Sequence, residues 1–203
     1  MKIALVGASG AVGSRILHEL AARGHQVTAI ARDPSRIPAA PGATAVAGDA
    51  RRGEILAPLL SGHDAVVSSI HFTDVDAEAL IAAVKAAQVR RYLVVGGAGS
   101  LEVAPGVSLY DIPEFPAVYL TEAKAGGAFL ARLKGEDTLE WTFLSPSAEF
   151  VPGERTGTFR LGTDALLVSP SGRSFISYED YAVALVDEIE HPRHVRARFT
   201  VGY

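Results

Sequence analysis

The chain of 203 residues is 48% hydrophobic and 21% charged, and its 19 Lys and Arg against 23 Asp and Glu leave a net charge of -4. This composition predicts one globular domain and excludes extensive disorder, because disordered chains combine low hydrophobicity with high net charge. The acidic balance argues against a nucleic-acid partner, and the absence of cysteine excludes disulfides, thiolate catalysis and Cys-ligated metals.

No long apolar segment is present. The first apolar run, residues 3–6, ends at Gly7 and is far shorter than the core of a signal peptide. No segment reaches the roughly 20 apolar residues that a transmembrane helix needs. The sequence therefore predicts a cytoplasmic protein without a membrane partner.

Short aliphatic runs alternate with longer segments of helical period over residues 1–146, as in successive βαβ units. The predicted strands are residues 3–6, 26–30, 43–47, 65–69, 92–95 and 141–144. The predicted helices are residues 11–23, 54–60, 76–88 and 119–133. Because helices cover both faces of a parallel sheet, this pattern predicts an α/β fold, a Rossmann-like doubly wound sheet of six parallel strands.

Glycine and proline punctuate residues 147–203, which predicts a small C-terminal lobe for the substrate, joined to the core of residues 1–146 in one domain. The residues between these two parts, 96–118, lack a periodic pattern and are expected to form a wall or lid of a site. The predicted elements of the lobe are a hairpin of residues 165–168 and 174–176, a helix that starts at Ser177 with Asp180 in its cap and ends near Glu190, and a last strand of residues 198–201.

The six histidines do not have the spacing of a metal site. No two of the six histidines stand four apart on a predicted helix, and His191 and His194 flank Pro192, where a helix has ended. We therefore expect no metal. The arginines at 90–91 and 193–198 are expected to be solvated surface charges.

A glycine-rich segment follows the first predicted strand and precedes the first predicted helix. In it, Gly7 permits a tight turn, Gly10 lets main-chain amides approach a pyrophosphate, and Gly13 permits close packing of the helix on the strand. The alternative is a turn that merely needs glycine. The position between strand and helix favours dinucleotide binding, with contacts from Gly7, Ser9, Gly10, Ala11, Val12 and Gly13.

The G-x-x-G-x-x-G spacing of these glycines resembles that of atypical and extended short-chain dehydrogenase/reductases. Residues 1–36, 141–146, 152–157 and 176–182 together resemble the bacterial NADH-flavin reductase-like group, which is similar to NmrA-like proteins and to biliverdin reductase B. The resemblance covers nearly the whole chain. It implies a Rossmann fold that binds NAD(P), and it leaves the substrate open.

The end of the second predicted strand bears on the choice of cofactor. NAD-specific sites place an acid there, whereas this chain has Arg32, with Arg36 four residues later. Both guanidinium groups could bind a 2′-phosphate, so NADP(H) is favoured over NAD(H). The alternative is that Asp33 turns to the ribose and both arginines are solvated.

Further cofactor contacts are expected where the later strands end, because ligands gather at the carboxyl ends of parallel strands. Asp49 matches the position at which related proteins contact adenine, and a turn or helix cap is the alternative. The glycine-rich run at residues 96–100 could equally be an ordinary loop. The residues expected to contact the cofactor here are Asp49, Ala50, Ser68, Ser69, Ile70, Gly96 and Gly97.

The catalytic group is not identified by the sequence. Many members of the superfamily use Tyr-x-x-x-Lys, in which the ammonium lowers the pKa of the phenol. Here Tyr119 is followed four positions later by Ala123, and the lysine is displaced to Lys124. Ser100, Tyr119 and Lys124 are therefore candidates only.

A planar acceptor such as a flavin or quinone demands less of the protein, because it can take its proton from water. The sequence thus favours an NADPH-dependent reductase in which FMN or FAD can be the substrate. The residues after Pro146 lack the histidine that biliverdin reductase B-like proteins often carry, which argues against tetrapyrrole reduction. Candidate lining residues, each of which could instead pack in the core, are His71, Phe72, Tyr110, Phe115 and Phe150.

Two alternatives to this function remain. One is an NmrA-like sensor that binds NADP without turnover and reports the redox state to a partner. The other is an isomerase or epimerase with bound NADP, for which the short C-terminal lobe leaves little room. The protein is expected to be a monomer or a homodimer.

Overall fold

The computed structural model describes residues 1–203. The strands are β1 (Lys2–Val6), β2 (Gln26–Ala31), β3 (Ala43–Ala47), β4 (Ala65–Ser68), β5 (Arg91–Val95), β6 (Glu102–Ala104), β7 (Val107–Ser108), β8 (Glu140–Pro146), β9 (Glu149–Val151), β10 (Arg160–Gly162), β11 (Phe175–Ser177) and β12 (Ala197–Gly202). The helices are α1 (Ala11–Ala22), α2 (Gly53–Leu60), α3 (Ala77–Ala86), α4 (Ala117–Lys134) and α5 (Tyr178–Glu190). None of these helices has the length and apolar character needed to cross a membrane.

Eight strands form the main sheet, in the order β10-β12-β8-β5-β4-β1-β2-β3. All neighbours pair in parallel except β10 and β12, which are antiparallel. β1 lies inside the sheet because Ile3 to Val6 are apolar on both faces and fully buried. The predicted Rossmann-like fold is confirmed, and the sheet exceeds the predicted six strands because β10 and β12 extend it.

Each face of the sheet carries its own buried core. On one face α1 packs against α5, and Leu17, Leu20 and Leu185 are fully buried there. On the other face α2, α3 and α4 pack over the sheet, and Leu80 of α3 and Val94 of β5 are buried there. The loops that follow β1, β2, β4, β5 and β8 emerge at one edge of the sheet, which we call the carboxyl edge.

The segment after β8 pairs differently from the predicted hairpin. The turn at Ser171 and Gly172 forms, and the Gly172 amide donates to the Ser169 carbonyl over 2.9 Å. However, the Leu166 amide donates to the carbonyl of Glu102, and β11 pairs in parallel with β9. The segments on both sides of the turn pair with other parts of the chain, so the predicted hairpin does not form beyond the turn.

The helix and last strand of this segment match the prediction. Ser177 Oγ accepts from the Asp180 amide over 3.0 Å, so α5 begins as expected. β12 inserts between β8 and β10, and its Phe199 and Val201 side chains join the core beneath α5. Much of the predicted lobe thus belongs to the main sheet and its helical layer.

Two arginines predicted to be solvated are buried, so that prediction is wrong for them. Arg91 in β5 is 6% exposed and pairs with Glu188 at 3.0 Å. Arg198 in β12 is 9% exposed and pairs with Asp164. Strand residues point alternately to the two faces of a sheet, and here both faces are covered, so each buried guanidinium needs a carboxylate partner.

Candidate cofactor-binding and active site

The turn between β1 and α1 requires glycine at two positions. Gly7 has φ +87°, and a Cβ there would lie 2.0 Å from the carbonyl oxygen of Ser69. A Cβ on Gly13 would lie 2.1 Å from the carbonyl oxygen of Gly7. The backbone can thus fold tightly between β1, β4 and α1 only where side chains are absent.

The N-terminus of α1 presents free donors at the carboxyl edge. Its capping residue, Gly10, has no side chain to accept from the first turn, and the amides of Ala11, Val12 and Gly13 donate to no acceptor in the protein. Ser9 is half-buried beside them, and its hydroxyl makes no hydrogen bond within the protein. Free amides and the helix dipole together favour an anion, so this turn fits a pyrophosphate.

The end of β2 carries positive charge that has no partner. Arg32 and Arg36 are exposed, and neither forms an ion pair. Asp33 accepts from the hydroxyl of Ser35 over 2.6 Å and from its amide over 3.0 Å. These hydrogen bonds lower the pKa of Asp33 and direct its carboxylate to the turn at residues 34–36.

The loop after β3 contains an ion pair that the sequence did not reveal. Arg51 donates through Nε and Nη2 to both carboxylate oxygens of Asp49, at 3.0 and 2.6 Å. The guanidinium of Arg51 lowers the pKa of Asp49 to about 2, and the charge of Arg32 contributes in the same direction. Asp49 also accepts from the Arg51 amide, so the predicted turn role is present. Ala50 is buried in the core.

The end of β4 packs against the Gly7 turn. Ser68 is 2% exposed, and its hydroxyl bonds to the hydroxyl of Tyr92 over 2.9 Å, so its side chain belongs to the core. Burial raises the pKa of that phenol. Ser69 is half-buried, with its carbonyl against Gly7, and Ile70 packs on the core beneath α3.

The loop after β5 offers a second row of free donors. The Gly96 amide donates to the Leu144 carbonyl over 2.8 Å, whereas the amides of residues 97–100 donate to no acceptor in the protein. Both oxygens of Ser100 accept from Arg198, so its hydroxyl is already engaged. The free amides of this loop and of the α1 N-terminus both lie at the carboxyl edge.

Tyr119 and Lys124 both lie in α4, and no hydrogen bond joins their side chains. Tyr119 is 63% exposed, and Lys124 is exposed and forms no ion pair. Lys124 stands about 100° further around the helix than a lysine at the usual spacing. Glu122, between them, accepts from the amide of Phe72 at 2.6 Å and lies 3.5 Å from His71. Burial raises the pKa of Glu122, but hydrogen bonds from Thr73 and Phe72 outweigh it and leave the pKa lowered.

The predicted lining residues divide between core and surface. The Phe72 ring centroid lies 5.3 Å from that of Phe129 and 5.9 Å from that of Phe143, in the core beneath α4. The Phe150 ring contacts two tyrosines of the α5 side, each at 4.7 Å between centroids. Tyr110 and Phe115 are half-buried in the long loop, and His71 is exposed.

The two C-terminal motifs of the resemblance interlock. The carboxylate of Asp180, which is fully buried, accepts from the Thr156 hydroxyl, the Gly157 amide and the Tyr203 hydroxyl. This network fixes residues 152–158 on the start of α5. Beside it is a cavity of about 520 Å³ lined by Val151, Pro152, Gly153, Glu154, Thr156, Thr158, Arg173, Phe175, Ser177 and Tyr203.

A second cavity, of about 370 Å³, lies at the opposite edge of the sheet beside Lys2, Gln26 and His63. The strands begin there, so the free amides and arginines of the carboxyl edge are far from it. No group of three or more His, Cys, Asp or Glu side chains is close enough to hold a metal ion.

Sheet order, glycine turn and free helix amides together define a Rossmann-type dinucleotide-binding protein. The model of the NAD(P)H-binding family matches residues 7–192. The chain is 44% identical to the Bacillus subtilis protein YwnB in an alignment 211 residues long, which covers 99% of this chain and 98% of YwnB. It therefore belongs to the NAD(P)H-binding family.

Two solved structures are similar to this chain over its whole length. A Bacteroides thetaiotaomicron protein provisionally named an epimerase is 43% identical with a TM-score of 0.95, covering 100% of this chain and 96% of that one. A Streptococcus pneumoniae protein provisionally named an NADH-flavin reductase is 35% identical with a TM-score of 0.86, covering 100% and 99%. The predicted family resemblance is confirmed.

Proposed function

We propose that this protein is an oxidoreductase that uses NADPH to reduce a planar acceptor such as a flavin or a quinone. The observation that carries the proposal is the opening of α1, where the amides of residues 11–13 are free and Gly10 leaves room for a pyrophosphate. When bound, NADPH supplies a hydride from C4 of its dihydronicotinamide ring, and the acceptor takes this hydride together with one proton from water.

The charges at the ends of β2 and β3 support NADPH over NADH. Arg32 and Arg36 are exposed without carboxylate partners, so both are available to a 2′-phosphate. The two acids nearby have other partners: Asp33 is hydrogen-bonded to Ser35, and Asp49 is paired with Arg51. The carboxylate of Asp33 is thus directed to residues 34–36, and Arg51 compensates the charge of Asp49, so both acids repel a phosphate less than a free acid would.

The surface of α4 supports an acceptor that needs no protein acid. Tyr119 is exposed, and Lys124 is too far around the helix to share a face with it. A flavin or quinone spreads the incoming charge over its rings and can be protonated by water. The similarity to a protein named an NADH-flavin reductase supports the same class of acceptor, with FMN or FAD as a substrate.

The cofactor assignment is tested with Arg32→Glu. The new acid removes a phosphate partner and repels the 2′-phosphate, so we expect the Kd for NADPH to rise about 100-fold and that for NADH less than about threefold. Arg193→Glu, an exposed change near the opposite edge, is the matched control. Equal losses for both nucleotides in a binding titration would contradict the assignment.

The acceptor is tested by mixing the protein with NADPH and a panel of FMN, FAD, riboflavin and quinones, and following the loss of dihydronicotinamide absorbance. Turnover with at least one of them is expected.

The exposure of Tyr119 also favours a second candidate, an NmrA-like sensor that binds NADP without turnover. Tight NADP binding with no oxidation of NADPH by any acceptor of the panel would support the sensor and exclude the reductase.

A further inference from the structure

Arg198 reaches from β12 to the loop that follows β5. Its side chain is only 5% exposed, and Nη1 donates to the carbonyl oxygen of Ser100 at 2.8 Å and to its hydroxyl oxygen at 3.0 Å. Nε and Nη2 donate to Oδ1 of Asp164, whose side chain is 54% exposed. One guanidinium thus joins the loop, the sheet and the segment between β10 and β11.

The Ser100 carbonyl has no other donor in the protein. Backbone bonds hold the residues on either side of it: the Tyr110 amide donates to the Gly99 carbonyl over 2.9 Å, and the Leu109 amide to the Leu101 carbonyl over 2.8 Å. Arg198 is therefore the side chain that fixes Ser100 itself. Without it, the carbonyl and hydroxyl of Ser100 lose their hydrogen bonds, and the loop keeps only its backbone bonds.

Packing alone does not explain an arginine at this position. Phe199 and Val201 of the same strand fill the core with apolar side chains, and burying a guanidinium costs desolvation free energy that an apolar residue avoids. Arg90, at the other end of β5, shows the ordinary alternative: it is exposed and pairs with Glu140 at 2.7 Å.

We propose that Arg198 is a positioning residue for hydride transfer, which holds the free amides of residues 97–100 where they bind the nicotinamide half of NADPH. The inference rests on the proposed function for its kinetic part. The proposal adds to the site a residue of β12, the last strand of the chain, which lies three strands away from β4 in the sheet. The loop supplies donors, and Arg198 sets their direction.

A binding experiment tests this inference without turnover. Adenosine 2′,5′-bisphosphate carries the 2′-phosphate but lacks the nicotinamide. In Arg198→Met we expect its Kd to be unchanged and the Kd for NADP⁺ to rise about fivefold, as for the loss of one neutral hydrogen bond. Equal shifts for both ligands, or no shift for either, would overturn the inference.

A kinetic experiment tests the same loop during reduction. Because misplaced reacting groups slow chemistry more than binding, kcat should fall about tenfold in Arg198→Met, more than KM for NADPH rises. NADPH deuterated at the transferred position should show a larger isotope effect on kcat in the variant than in the wild type. An unchanged isotope effect and unchanged kcat would also overturn the inference.

Two further variants keep the outcome interpretable. Asp164→Asn leaves the Ser100 contacts in place and should give a smaller change in the same direction, and it provides the test if Arg198→Met does not fold. Arg90→Met, which removes an exposed ion pair, should leave both binding and kcat unchanged. If the wild type binds NADP⁺ but reduces no acceptor, the proposed function fails while the binding experiment still decides the role of Arg198.

Discussion

At the residue scale, the ion pair of Asp49 and Arg51 sets the net charge beside the proposed site of the 2′-phosphate. Asp49 lies close enough to Arg32 for their charges to interact, and an uncompensated acid there would repel a 2′-phosphate. Here the guanidinium of Arg51 binds both oxygens of that acid and lowers its pKa to about 2. Asp49 stays ionised, but a neighbouring cation compensates its charge.

Removing this compensation should weaken NADPH selectively. In Arg51→Gln the uncovered charge of Asp49 acts against the 2′-phosphate, so we expect the Kd for NADPH to rise about fivefold and the Kd for NADH to change little. Isothermal titration of both nucleotides measures this difference.

The matched control is the double variant Asp49→Asn with Arg51→Gln, which removes both charges and should restore NADPH affinity to near the wild-type value. Failure of the double variant to recover would mean that Arg51 contacts the phosphate directly.

The buried arginines mark the limit of what single residues reveal in a sequence. The glycines at 7 and 13 were predictable, because the positive φ of Gly7 and the close approach of Gly13 to the Gly7 carbonyl belong to the turn itself. Arg91 and Arg198 were misplaced on the surface, because their partners Glu188 and Asp164 are remote in sequence. Even the alternation of residues in a strand does not show which charges will meet across a sheet.

At the element scale, residues 152–158 are held by acids from two helices. Glu19 of α1 is 6% exposed and accepts from Arg155 at 2.7 Å and from Arg23 at 2.9 Å. The hydrogen bond from Arg155 lowers the pKa of Glu19; burial opposes this shift, and Arg23 supports it. Asp180 of α5 holds the same loop at Thr156 and Gly157.

The pH dependence of stability tests the contact at Glu19. Its pKa is lower in the folded protein than the ordinary 4.5, so the carboxylate stabilises the fold above the ordinary pKa. This stabilisation disappears as the pH falls through the lowered value. Glu19→Gln should therefore reduce the free energy of unfolding by about 2 kcal/mol at neutral pH, with the difference vanishing in acid.

Urea unfolding of both proteins from neutral to acid pH measures this effect. Glu78→Gln is the control, because Glu78 is 66% exposed in its pair with Arg132, and exposed pairs contribute little. A constant difference between wild type and Glu19→Gln at every pH would show that the ion pairs do not cause it.

At the scale of the whole molecule, the two predicted parts share one core. Nine of the 22 buried residues beneath α1 and α5 come from positions after 146. Tyr181 of α5 donates to the carbonyl of Leu144 over 2.7 Å, and both residues are fully buried. We therefore infer that residues 1–203 unfold as a single cooperative unit.

Equilibrium unfolding in urea tests this inference with two probes. Trp141, the one tryptophan, is 3% exposed in β8, and its fluorescence reports residues 1–146, whereas far-UV circular dichroism reports all five helices. We expect the two transitions to coincide.

A fragment of residues 1–146 should show no cooperative transition, since it exposes the core that α5 and β12 cover. Separate transitions, or a stably folded fragment, would contradict a shared core.

The amino-acid sequence by itself determined the βαβ order, the parallel sheet and the glycine turn, because hydrophobic period and steric need are local properties of the chain. It also indicated the family, and with it the class of cofactor. Only the tertiary structure decided that β11 pairs with β9 and that Arg198 holds Ser100. Those contacts depend on which remote segments the fold brings together, and a pairwise meeting of this kind leaves no periodic signal in a single sequence.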